Sequence, residues 1–412
     1  MKIWMWLFAL IVAVTLVRAD AAIAAPPRGD PAGAGFDTKK ILAIDAALKD
    51  AVQKGLFPGG ILAVVRDNKL ALLSISGKVA PGGADMPVDA IFRIYSMTKP
   101  IVSVAAMRLV EQKKLSLDEP VSTYFPKFGT AGVAVTSGKE GKSFKIQPLR
   151  RPVKIKDLLN HTAGIANAAS LNGKLQKLYA DASLNDPGSS NQELASKLAA
   201  LPLVAQPGRI FFYAHATDLL GAVIEKVTGQ PLGEAVAELV TRPLGMVDTG
   251  FHVADPSKAG KIAQPFPNDQ FGPTKMFDPL VRRKLQAAGN GMVSTVQDYL
   301  RFCQMLLKGG TLANAKLLSP ITVRAMTRDR LGAASRQFLP EGYTFGLGFG
   351  VRRNSGSDSA TPGTYYWNGA GGTSFFIDPD KKLVVVYMMQ SPRTRINVRE
   401  YLREAIYGAM VR

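Results

Sequence analysis

The sequence predicts a mixed α/β fold in which a sheet opens the chain, a helical insertion follows, and the sheet is completed near the C-terminus. Three observations carry this: a hairpin pattern over residues 59–76, apolar segments with helical period through the middle of the chain, and strand-like segments gathered at 343–390. Helical patterns at 39–54 and 396–410 are able to cover one face of that sheet. With 412 residues, 47% hydrophobic and 20% charged, the chain is long enough for one large globular unit or two interleaved ones, and it is not disordered as a whole.

In chain order, residues 1–24 read as a secretory signal peptide: Lys2, an apolar run over 3–17, and the small-residue pattern Ala22-Ile23-Ala24 suited to cleavage. Arg18 and Asp20 interrupt the run before the roughly 18 apolar residues of a spanning helix accumulate, which favours cleavage over an anchor. The expected location is therefore exported, periplasmic or secreted. Residues 25–36 form a flexible Pro/Gly/Ala-rich lead. Ile41, Leu42, Ile44, Ala47, Leu48 and Val52 then have helical spacing, and 61–65 and 70–75 read as strands joined by a turn at Asp67-Asn68. Over 101–110 the chain is apolar nearly all round, as in a buried helix.

From about Leu117 the texture changes, and the units are read as a sheet-containing domain over 37–130 and 285–412 with a mainly helical domain over 131–284. Helical periods occur at 155–160, 192–201, 216–228 and 232–239, and no convincing strand is expected before about Tyr343. A glycine-rich bend at Gly289-Asn290-Gly291 precedes Ser294-Thr295, a good N-cap for a helix from Val296. Strands are expected at 343–351, 364–367, 373–377 and 383–390.

Composition narrows the function. Cys303, the one cysteine, lies on the apolar face of a helical pattern and reads as a packed, inert thiol. Only three histidines and no His-Glu-x-x-His argue against a metal site, and no cofactor motif is present. The net charge is +19, about +18 once residues 1–24 are removed, with the densest basic run at 139–156 (Lys139, Lys142, Lys145, Arg150, Arg151, Lys154) against the single acid Glu140. Few aromatics interleave with it. A solvated face, or a weak contact with anionic envelope surfaces, therefore outranks nucleic-acid binding.

Candidate chemistry centres on Ser96-Met97-Thr98-Lys99-Pro100. At the start of a helix, positions i and i+3 share a face, so the Ser96 hydroxyl and the Lys99 amine address one space. A hydroxyl becomes a useful nucleophile when a neighbouring base takes its proton. Pro100 is tolerated only near a helix start, which places that start at about Ser96. The pattern alone recurs by chance about once or twice in a chain of this length, so its neighbours matter. Tyr213 follows Pro207-Gly208 and precedes a helix, a setting able to project a phenol as a proton carrier or simply to pack it at the helix entry. At Trp367-Asn368-Gly369-Ala370 the glycines let backbone N–H groups approach a ligand, as an oxyanion hole requires, though the same residues also make a tight turn. There is no Gly-x-Ser-x-Gly elbow.

Taken together, Ser96-x-x-Lys99, Tyr213-x-His215 and the Gly-rich segment at Trp367 to Ala370 resemble the penicillin-recognising serine hydrolases, closest to their class C-like branch and the family VIII carboxylesterases. Supporting stretches are Leu158-Leu159-Asn160-His161-Thr162-Ala163-Gly164, the Arg242-Pro243-Leu244-Gly245 run to Gly250, and Gly291 to Thr295. The resemblance covers nearly the whole mature chain. It implies a β-lactamase/D,D-peptidase-like α+β fold, an antiparallel sheet flanked by helices with an all-helical domain inserted. It also implies Ser96 as nucleophile, Lys99 as base, Tyr213 sharing proton transfer, and an oxyanion hole from the backbone N–H groups of Ser96 and Ala370.

Two departures bear on substrate. His215 stands where the lactamases and peptidases usually carry Asn, and Trp367-Asn368-Gly369 stands where they carry Lys-Thr-Gly; these four residues are the expected substrate contacts. Loss of that lysine removes the cation that would meet a β-lactam or peptidoglycan carboxylate, while Trp367 offers an apolar wall. The resemblance thus implies a serine esterase forming an acyl-enzyme from small-molecule esters, with water activated by the same Lys99/Tyr213 pair. A D,D-carboxypeptidase, D-amino-acid amidase or weak β-lactamase is the alternative on an ester or amide substrate, and a non-catalytic envelope-binding protein a further one. The sequence leaves the oligomeric state open.

Overall fold

The computed structural model describes residues 30–137, 143–271, 276–336, 339–354 and 359–411. The expected signal peptide, residues 25–29 of the lead, and Lys139, Glu140 and Lys142 of the basic run lie outside them. The elements that frame the site are α1 (Thr38–Gln53), β1 (Gly59–Arg66), β2 (Lys69–Gly77), α2 (Thr98–Glu111), α3 (Ala216–Thr228), α4 (Val296–Leu307), β3 (Tyr343–Phe345), β4 (Gly350–Arg352), β5 (Tyr365–Asn368), β6 (Ser374–Asp378), β7 (Leu383–Met389) and α5 (Arg395–Gly408). The seven strands form one antiparallel sheet in the order β2-β1-β7-β6-β5-β4-β3.

Strand periodicity sorts the two faces of this sheet. Ile61, Ala63 and Val65 of β1, with Val384, Val386 and Met388 of β7, point into the core that holds α2 and α4. Leu62 and Val64, with Leu383, Val385 and Tyr387, point the other way, against Ile41, Ile44 and Leu48 of α1 and Leu402 and Ile406 of α5. Each fully buried aliphatic side chain stabilises the fold by about 1.5–3 kcal/mol, so a one-residue slip of either strand is forbidden on both faces at once. The turn between β1 and β2 places Asp67 and Asn68 at φ 50° and 61°, the left-handed pair a tight hairpin demands. The larger core continues from the sheet through α2 to Leu219, Leu220 and Val223 of α3, so the inserted helices share it.

Two local expectations are corrected. Residues 343–351 are not one strand but the hairpin β3–β4. A Cβ at Gly346 would lie 1.9 Å from the Met326 carbonyl, and Gly348 has φ 98°, so the two glycines allow a reversal that no alternation pattern announces. The inserted run is not wholly helical, and a strand does occur before Tyr343, because Gly132–Ser137 and Ser143–Pro148 pair antiparallel. Most of that second strand is exposed, so it lacks the buried apolar alternation by which a strand is recognised. The described part of the basic run is partly neutralised: Arg151 pairs with Asp157 (2.7 Å) and Lys154 with Asp118 (3.0 Å).

Candidate active site

Ser96 lies on a 3-10 turn, Tyr95–Met97, and α2 begins two residues later than the Ser-x-x-Lys frame predicts, at Thr98. The turn is held from three sides. The Met97 carbonyl accepts from Tyr299 Oη (2.9 Å), Thr98 Oγ1 accepts from the Met292 N–H (3.1 Å), and the Ile94 carbonyl accepts from Thr373 Oγ1 (3.3 Å). These clamps keep Tyr95 at φ 43°, a left-handed conformation that costs a bulky residue on the order of 1–3 kcal/mol. Its ring meets Phe271 and Phe277 edge-on, and burial pushes its phenol up to about 12, with Arg93 and Arg283 opposing.

Lys99, buried on the first turn of α2, brings Nζ to 3.5 Å from Ser96 Oγ. Its shorter hydrogen bond, 2.7 Å, goes to the Gly289 carbonyl, and the ammonium lies 4.4 Å from the centroid of the Tyr213 ring. The lysine therefore meets the face of Tyr213, while the Tyr213 oxygen accepts from Trp367 Nε1 (3.2 Å). Beneath Tyr213 is His161, ring centroids 4.8 Å apart, itself edge-on to Phe211 and Phe345. Complete burial, reinforced by the nearby Lys99 charge, pushes the His161 imidazole down to about 3, so it is a neutral packing group.

His215 precedes α3 and donates from Nδ1 to Asp218 Oδ2 at 3.0 Å, while Asp218 Oδ1 accepts from the Gly289 N–H at 2.7 Å. Burial alone would raise the Asp218 carboxyl, but the His215 hydrogen bond, the Lys99 charge and the Gly289 N–H hold it below the usual carboxylate range. One residue, Gly289, thus links Asp218 to Lys99 through its N–H and its carbonyl. Neither Asp218 nor the Gly289 carbonyl was singled out from the sequence; the one available signal was the i, i+3 spacing of His215 and Asp218 at a helix start.

The end of β5 abuts the Ser96 turn. A Cβ on Gly369 would lie 2.1 Å from Thr373 Oγ1 and 2.4 Å from the Ile94 carbonyl, so only glycine lets the two segments touch. Among the described residues, the Ser96 and Ala370 N–H groups have no partner within the protein. Trp367 faces the site, but Asn368, expected as a substrate contact, does not. Strand alternation turns it to the opposite sheet face, into a small cavity with Tyr366 and Arg399. Gly369 serves the backbone approach rather than the cleft lining. Ser96, Lys99, Tyr213, His215, Asp218 and Gly289 all line one cleft of about 700 Å³, whose outer wall includes Asn167, Tyr179, Asn185 and Asp186.

Residues 44–408 match the family described as Beta-lactamase. The chain belongs to the beta-lactamase family. Beta-lactamase-family relatives include Protein Rv1367c of Mycobacterium tuberculosis, 34% identical over 364 residues (84% of this chain, 88% of that one). Esterase EstB of Burkholderia gladioli is 30% identical over 414 residues (92% and 98%). Among solved structures, EstCE1, described as a hydrolase with promiscuous acyltransferase activity, superposes with a TM-score of 0.75 at 26% identity, covering 90% of this chain and 99% of that one. This beta-lactamase-family member is a serine hydrolase with esterase-like relatives.

Proposed function

We propose that this serine hydrolase is a carboxylesterase acting on short-chain or small-molecule esters through an acyl-enzyme on Ser96. The observation that carries the reading is the charge of the cleft. Among the described residues no cation but Lys99 lines it, while Asp186 and Asp218 do, and Trp367, which donates to Tyr213 Oη, stands in the motif position where the resemblance places a lysine for the substrate carboxylate. A penicillin or a D-alanyl terminus would bring an uncompensated negative charge into that space; a neutral ester brings none. Export, supported by the apolar run and cleavage pattern of residues 1–24, is part of the proposal.

In this reading the reactive form carries Lys99 as a free amine, its ammonium proton given up to solvent, and Ser96 Oγ attacks the ester carbonyl as its proton passes to that amine, with Tyr213 coupled to the transfer. The oxyanion meets the N–H groups of Ser96 and Ala370. The bond to the alcohol oxygen breaks, that oxygen regains the proton, and the acyl group remains on Ser96 until water releases it. Short-chain nitrophenyl esters are turned over by the purified protein and not by Ser96→Ala; equal turnover by both would end the proposal. Parallel assays on a D-alanyl amide and a chromogenic cephalosporin should give markedly lower kcat/KM, and a preference for either would shift the reading to the peptidase or lactamase alternative.

A further inference from the structure

Acylation gives one polar pair of this cleft no task. His215 and Asp218 sit on one face at the start of α3, joined by the 3.0 Å bond from Nδ1 to Oδ2. Asp218 is buried, and its second oxygen is fixed by the Gly289 N–H, so it cannot turn away from the ring. An ionised carboxylate only accepts, which sets the His215 proton on Nδ1 and leaves the lone pair on Nε2. That Nε2 has no protein partner among the described residues and is not a buried orphan, so it opens to the cleft lined by Ser96. The other two candidate proton carriers are differently engaged: Lys99 Nζ by the Gly289 carbonyl and the Tyr213 ring, and the Tyr213 oxygen by Trp367.

We propose that His215, oriented by Asp218, is the general base of deacylation, an assignment that rests on the acyl-enzyme reading of Ser96. A water in the cleft gives a proton to Nε2 as its oxygen bonds to the acyl carbon, and the carbonyl electron pair moves to the oxyanion. Collapse re-forms the carbonyl and breaks the bond to Ser96 Oγ, and the proton held on Nε2 passes across the cleft to that oxygen by way of Lys99. The carboxylic acid leaves, and Ser96, Lys99 and His215 are back in the protonation states they had before acylation. Acylation thus uses Lys99 with Tyr213, and deacylation uses the Asp218-supported imidazole across the same cleft.

The test measures steady-state turnover of a nitrophenyl ester and intact mass after rapid quenching, for the wild type, Ser96→Ala, His215→Ala and His215→Gln. Labelling of Ser96 by a fluorophosphonate verifies that each His215 variant is folded, and the Gln variant keeps a side chain of similar reach. Expected is a fall in kcat of about 10²–10⁴-fold in both His215 variants, with an acyl adduct accumulating on Ser96. Added imidazole should restore part of the turnover of His215→Ala, which a purely structural role would not allow. Turnover within about threefold of wild type, or a fall in kcat with no accumulated adduct, overturns this assignment alone. Turnover by Ser96→Ala equal to wild type removes the acyl-enzyme reading beneath it as well.

Discussion

Lys99 sits under the ring of Tyr213, its Nζ 4.4 Å from the ring centroid, and gives its short hydrogen bond to the Gly289 carbonyl rather than to the phenol. The ammonium is held from two sides, and Ser96 Oγ waits at 3.5 Å, near the outer limit of a hydrogen bond. Geometry of this kind tightens when substrate displaces solvent. Lys99→Met keeps the apolar stem in the core and removes the nitrogen. We expect kcat/KM for a nitrophenyl ester to fall by about 10³-fold while the thermal midpoint moves by only a few degrees. Activity within tenfold of wild type would argue that another group takes the Ser96 proton.

Trp367 makes two separable contributions, a hydrogen bond from Nε1 to Tyr213 and ring packing against Tyr213 and Phe345. Trp367→Phe keeps the ring and deletes the donor, so kcat should drop about tenfold with KM little changed, the size expected for one lost hydrogen bond of about 1.4 kcal/mol. Trp367→Lys places a cation at the cleft edge. That variant should hydrolyse a chromogenic cephalosporin faster than wild type and the ester more slowly. Comparing the two substrate rates for both variants checks the argument, and a cephalosporin rate unmoved by the lysine would refute the charge-based reading of specificity.

What was legible in the chain follows from where its information is local. The β1–β2 hairpin carries its own signal, because β1 is an apolar run buried on both faces, β2 alternates along its second half, and the turn residues suit left-handed backbone. The hairpin of Gly132–Ser137 and Ser143–Pro148 has no comparable signal, since its second strand is mostly exposed. The break between β3 and β4 depends on Gly346 meeting the Met326 carbonyl, a tertiary fact. Ser96, Lys99, Tyr213 and His215 were readable from motif spacing, and the structure gathers them in one cleft. The Gly289 carbonyl was not, because a backbone acceptor leaves no residue signature. The position of Asn368 was readable and was misread, since the period of a strand sets it opposite Trp367.

His161 gives the fold a pH dependence with a definite sign. In the unfolded chain its imidazole protonates as pH falls below about 6.5, whereas the folded chain keeps it neutral down to about 3. The unfolded state therefore binds more protons throughout that window, and this residue's contribution to stability is lost progressively as pH drops from about 6.5 toward 3. His161 has φ 58°, a conformation asparagine tolerates better than most residues. His161→Asn should be less stable at pH 7, having lost its packing on Tyr213, Phe211 and Phe345, yet its urea midpoint should fall less steeply between pH 6.5 and 4. A slope equal to that of the wild type would mean that other groups dominate acid unfolding.

The contact between Gly369 and Ile94 offers a test of how the oxyanion donors are set. The Gly369 carbonyl and the Thr373 carbonyl both accept from Arg399, and Thr373 Oγ1 reaches the Ile94 carbonyl, so the loop bearing Ala370 is tied to the turn bearing Ser96. In Gly369→Ala the new methyl must displace either Thr373 or Ile94, and neither is the free end of a flexible side chain. Overpacking of this kind costs about 1–3 kcal/mol of stability, which leaves a chain of this size folded. Moving one oxyanion donor off its mark, by contrast, costs about 10²–10³ in kcat. We therefore expect Gly369→Ala to remain folded by circular dichroism while its kcat falls by at least about 100-fold and its KM changes far less. A loss carried mainly by KM would instead place the β5 edge in substrate binding, and the N–H of Ala370 would lose its assigned role.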